Sequence, residues 1–159
     1  MHTPAQPQHQ WLKQLLGDWS IETECVMGPD QPPLKLKGRE SVRMLGDLWA
    51  VCEGGGPMHD GGEMSFIMTL GFDPASGRFT GTWVGSPMAH MFVYQGALDA
   101  AGRVLTLDTT GPSFTDPSRT ERYQDIITIV SPTQRTLTSR TPGPDGSWVQ
   151  FMHAVLTRR

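Results

Sequence analysis

The sequence predicts an all-β fold: a single antiparallel up-and-down β-barrel of about 8–10 strands behind a short N-terminal helix. Three observations carry this expectation. Apolar and polar residues alternate through many short runs, the period of strands with one face buried. Turn signals built from Pro, Gly and Asp separate those runs at fairly even spacing. The 18 glycines and 13 prolines fall between apolar runs and form no low-complexity tract, as expected of a chain of many turns. A meander is the natural way to join consecutive hairpins, and closing it removes exposed edges. A two-sheet sandwich is the alternative architecture.

Trp11, Leu12, Leu15 and Leu16 recur at helical spacing over 9–16, with Gly17 as a C-terminal cap. Trp19, Ile21, Thr23, Cys25 and Met27 then alternate with mostly polar residues until Gly28, Pro29, Pro32 and Pro33 break the strand. The run 34–45 alternates most clearly. Leu34, Leu36, Gly38, Glu40, Val42 and Met44 share one face, and Lys35, Lys37, Arg39, Ser41 and Arg43 the other. A strand over 48–53 follows, and the glycine-rich segment 54–62 reads as a flexible loop. Further strands are expected over 64–72, 78–86, 90–98, 104–109, 121–130, 135–140 and 147–157. Turns at 73–77, 99–102 and 142–146 have Pro, Gly and Asp at positions that suit tight turns. Residues 1–8 are expected to be loosely ordered and 9–159 to form one domain, long enough to bury a sizeable core.

A net charge of −3 without a Lys/Arg cluster argues against a nucleic-acid or anionic-membrane partner. The polar N-terminus does not read as a secretory signal, and no apolar run approaches the roughly 20 residues of a membrane span. Cys25 and Cys52 give neither a disulfide framework nor a C-x-x-C spacing. They read as buried free thiols, which makes the cytoplasm the expected compartment.

Gly17-Asp18-Trp19 resembles the G-x-W signature of calycins, the lipocalin-like barrels. That resemblance implies a Trp packed at the closed end against a basic residue of the last strand, a role for Arg158 or Arg159. A longer ordered pattern joins it. Leu45-Gly46-Asp47-Leu48-Trp49, Leu70-Gly71-Phe72-Asp73, Gly81-Thr82-Trp83-Val84-Gly85-Ser86, Tyr94-Gln95-Gly96-Ala97-Leu98-Asp99 and Asp145-Gly146-Ser147-Trp148 run through to Thr157-Arg158-Arg159. Together these resemble a bacterial family of calycin-like barrels known as a domain of unknown function. Such relatives often carry Asp where this chain has Gly85. The resemblance implies the fold and brings no activity with it.

Glu40 is the most informative residue, because alternation puts a carboxylate on the presumed interior face. It is either a polar anchor for a ligand or half of a buried pair with an Arg such as Arg122 or Arg140. Trp83, His90, Tyr94, Tyr123 and Asp125 form a second group. Facing inward, they would give an aromatic cavity with polar tips; facing outward, part of a homodimer surface. The nine methionines suit an adaptable apolar lining or ordinary core filling. His153 on the last strand raises a haem alternative, since some related barrels hold haem through such a histidine. Otherwise no cofactor is expected. His59, Asp60 and Glu63 lie in a glycine-rich loop unsuited to a metal. The leading expectation is a barrel binding a small, largely apolar molecule. An isomerase or hydrolase using Glu40 or Asp125 with His90, and a homodimeric module with a filled interior, are the alternatives.

Overall fold

Ten antiparallel strands follow one another round the barrel in sequence order, and β1 pairs with β10 to close it. The computed structural model describes residues 1–159. Its strands are β1 Gly17–Cys25, β2 Leu34–Leu45, β3 Trp49–Pro57, β4 Glu63–Asp73 and β5 Arg78–Gly85. They continue as β6 Phe92–Leu98, β7 Val104–Pro112, β8 Thr120–Ser131, β9 Gln134–Pro142 and β10 Trp148–Arg158. Every sheet neighbour is also a sequence neighbour except at the seam, so the sandwich alternative is set aside. Residue 102 shows how a turn is made. Gly102 adopts φ 71°, and the Asp99 carboxylate accepts from the N–H groups of Arg103 and Val104 at 2.8 and 3.1 Å.

The helix differs from its expected bounds. It runs as α1 over Pro7–Leu12 and tightens into a 3₁₀ turn over Lys13–Leu15. Pro7 explains the earlier start, because proline suits the first helical turn. His9, Trp11, Leu12 and Leu15 are buried and plug one end of the barrel. The Gln6 N–H donates to His9 Nδ1 at 2.8 Å, so His9 Nε2 carries the proton and donates to Phe72 O at 2.9 Å. Trp11 Nε1 donates to Gly102 O at 2.7 Å, tying the plug to the β6–β7 turn.

Two other expectations need correction. Residues 54–57 are not loop: they continue β3, paired with Phe66, Ser65, Met64 and Glu63 of β4. Glycine weakens a strand by its entropy, but two flanking ladders hold this one. His90 lies before β6, which starts at Phe92.

Inward residues alternate as expected, but the interior is filled unevenly. Near the open end, Phe92 and Tyr123 meet edge-to-face at 6.0 Å, and Phe151 and Phe114 each pack on Tyr123. On the opposite side, β2 and β3 present Gly38, Gly54 and Gly56 inward. The chain packs closely at these positions: a Cβ on Gly38 would lie 2.6 Å from the Gly55 carbonyl oxygen, and one on Gly54 2.6 Å from the Phe66 ring.

Candidate functional site

A partly open cavity of about 310 Å³ occupies the glycine side of the barrel. Its wall comes from β1–β5 and β8–β10, while β6 and β7 are absent from it. The lining is mostly apolar and rich in sulfur: Cys25, Cys52, Met58, Met64, Met68 and Met152. Register pairs two of these sets across neighbouring strands, Cys25 with Met152 and Cys52 with Met68. Phe66 and Trp83 add a stacked aromatic pair, ring centres 6.1 Å apart and 19° from parallel. The site therefore resembles small-molecule pockets in general, an apolar chamber with few polar groups.

Besides Thr23 and Lys37, those polar groups are Glu40 and Arg135, paired toward the plugged end. Their side chains are only 7% and 4% exposed, and Arg135 Nη2 donates to Glu40 Oε1. Such a pair is retained only with close geometry, because each charge has lost its water. Trp19, cross-strand from Glu40, completes the group. The guanidinium carbons of Arg135 and Arg158 lie 4.7 and 4.3 Å from its ring centre. Arg158 also donates to the carbonyls of Leu16, Gln14 and Pro132, and Trp19 Nε1 donates to Leu15 O at 2.9 Å. Arg158 thus takes the place beside the Trp that the G-x-W resemblance implies.

The partner of Glu40 is Arg135, and neither Arg122 nor Arg140. Those two lie on the outer face, 5.3 and 5.2 Å from the Trp148 ring. Alternation along β9 places Arg135, Leu137 and Ser139 inward. This signal was available in the sequence.

The other anticipated site residues separate. Trp83 lines the cavity with Glu40. Tyr94 and Asp125 lie inside the barrel but form their own cluster, outside the cavity lining. The Tyr94 hydroxyl and the Ser139 hydroxyl both donate to the Asp125 carboxylate at 2.5 Å. Tyr123 donates to Pro112 O at 2.7 Å, and His90 Nε2 meets Thr110 O at 3.2 Å near the rim. No acid and base converge among Glu40, Asp125 and His90. His153 faces outward between inward-facing Met152 and Ala154, and its Nδ1 meets Thr138 Oγ1 at 3.1 Å. That placement turns it away from any group held in the cavity.

Burial raises the Asp125 carboxyl above its ordinary range, and the two hydroxyl donors only partly oppose this. Burial first, then the Asp125 charge, pushes the Tyr94 phenol well up, keeping it a donor. The native state therefore binds a proton at Asp125 more readily than the unfolded chain. Its contribution to stability is present below the ordinary carboxylate pKa and is lost as pH rises through the raised native value. Urea unfolding against pH should show this downward step in the native protein and not in Asp125→Asn.

Burial, then the Glu40 charge, likewise pushes the Cys52 thiol far above its usual value, and burial raises Cys25. Thiolate is the reactive form. A disulfide-exchange reagent should therefore titrate Cys25 slowly in the native protein and Cys52 only after denaturation.

A second groove, of about 690 Å³ and more open to solvent, lies across the glycine wall. Lys37, Arg39, Glu53 and Glu63 line it, and it shares Gly38, Glu40, Gly55 and Gly56 with the cavity. The wall there is a single backbone layer. No three His, Cys, Asp or Glu side chains come together as metal ligands. No helix is long and apolar enough to cross a membrane.

The family model described as "Protein of unknown function (DUF1579)" matches residues 4–158. No curated protein matches the sequence. Among solved structures, the chain is similar to Rv2717c from M. tuberculosis, at 16% identity over 98% of this chain and 99% of that one, TM-score 0.69. It is similar to the S-type phycobiliprotein lyase CPES from Guillardia theta, at 11% identity over 96% and 92%, TM-score 0.60. EF1p2_mFAP2b bound to DFHBI aligns at 16% identity over 95% and 98%, TM-score 0.51. At these identities the likeness shows the shared barrel fold.

Proposed function

The chain belongs to the DUF1579 family, and we propose that it is a binding protein for a small, largely apolar molecule held inside its barrel. The cavity carries this reading: about 310 Å³, mostly apolar, with Glu40, Arg135, Lys37 and Thr23 as its polar side chains. That volume corresponds to about ten water molecules at ~30 Å³ each, room for a compact one- or two-ring ligand. Methionine side chains adapt their shape and favour contact with aromatic rings, which suits such an occupant. EF1p2_mFAP2b, a barrel of similar fold, is bound to DFHBI, which supports a binding role for such a barrel. Two unpaired thiols are compatible with a reducing compartment, as in the cytoplasm.

Binding of the neutral dye N-phenyl-1-naphthylamine tests this. A saturable, one-to-one rise in fluorescence is expected. Leu36→Trp, which fills the cavity, should weaken it about tenfold or more, a change of roughly 1.4 kcal/mol. Val84→Trp on the outer face should leave it unchanged. Equal binding by the filled variant sinks the proposal.

One observation favours a homodimer as a second reading. Ile67, Val84, Met91 and Val93 are exposed at 43, 39, 53 and 54% on or beside neighbouring β4–β6. Light scattering at rising concentration separates a dimer through this face from a monomeric binder.

A further inference from the structure

We infer that the cavity's ligand is electrically neutral and carries a hydroxyl or amide N–H that docks on the Glu40–Arg135 pair, so that ionised acids are refused. This rests on the binding reading above and adds the chemical class of the ligand.

The pair is incompletely satisfied by the protein. Glu40 Oε1 is bound by Arg135 Nη2, whereas Glu40 Oε2 accepts no hydrogen bond within the chain. Arg135 Nε is buried without a partner. Both residues line the cavity, and each is less than a tenth exposed. The chamber therefore ends on a carboxylate with an oxygen left for a donor, beside a guanidinium whose unpartnered Nε is itself sealed among protein atoms.

Charge decides what can approach it. Arg135 is paired with Glu40, so the two groups that line the floor carry no net charge between them, and Arg158, against Trp19, is outside the lining. Lys37, the other charged residue at the wall, belongs to the outer face of β2 opposite Glu22. An incoming carboxylate would leave water to sit beside Glu40, like charge against like charge where little solvent screens it. A purely apolar ligand would strip water from Oε2 and return no bond. A neutral O–H or N–H donor fills the vacant acceptor without adding charge, and its own lone pairs can face the guanidinium.

Equilibrium dialysis at neutral pH with naphthalene, 2-naphthol and 2-naphthoate tests this on one ring system. The phenol is then neutral and the carboxylic acid ionised. The native protein should bind 2-naphthol about tenfold more tightly than naphthalene and should not retain 2-naphthoate. In Glu40→Gln the Arg135 charge is released, and 2-naphthoate should become the tightest of the three.

Naphthalene equal to 2-naphthol, or 2-naphthoate equal to either on the native protein, overturns this inference and leaves the binding reading standing. Retention of none of the three overturns both. If Glu40→Gln does not fold, the native panel decides alone.

Discussion

Arg135→Ala should lower stability by about 3–5 kcal/mol in urea unfolding, among the largest effects of any single substitution here. It leaves the Glu40 carboxylate buried and unpaired, and removes one of two guanidinium groups against Trp19. The same pair replaced together, Glu40→Leu with Arg135→Met, should recover most of the loss or exceed the native stability. A buried ion pair contributes little net stability but is costly to break from one side. The double-mutant cycle reads this as a large coupling energy, and a single-mutant loss below about 1 kcal/mol would mean the pair is screened by solvent.

Trp19→Ala should cost a comparable amount, about 3–5 kcal/mol, by opening a cavity at the plugged end. Trp19 is 1% exposed, and its indole N–H holds the Leu15 carbonyl at the end of the helical plug. Trp19→Phe keeps most of the ring and loses that bond, so about 1 kcal/mol plus a smaller packing loss is expected. Arg158 keeps its three carbonyl acceptors in either variant, so the last strand stays tethered. Thermal unfolding of both variants checks the order.

Strand alternation made most of this architecture legible. Glu40 points inward as its neighbours Leu36 and Val42 indicate, and Trp19 sits beneath Arg158 as the G-x-W resemblance implies. The same alternation along β9 marks Arg135 as the interior cation, but only once its strand face is assigned. Segment 54–57 was illegible for a different reason. Glycine signals a loop by its backbone freedom, and only pairing to β2 and β4 fixes this stretch as a strand. Tyr94 and Asp125 share the interior with Glu40, yet sequence periodicity does not say how far round the barrel two inward faces lie. The cavity lining includes neither Tyr94 nor Asp125.

Native mass spectrometry of gently purified, detergent-free protein tests most directly whether this barrel is a container. The native protein should carry one discrete small-molecule adduct that solvent extraction removes and that Leu36→Trp lacks. The bare chain mass in both proteins, together with a crystal structure whose interior is filled by side chains, would contradict the account.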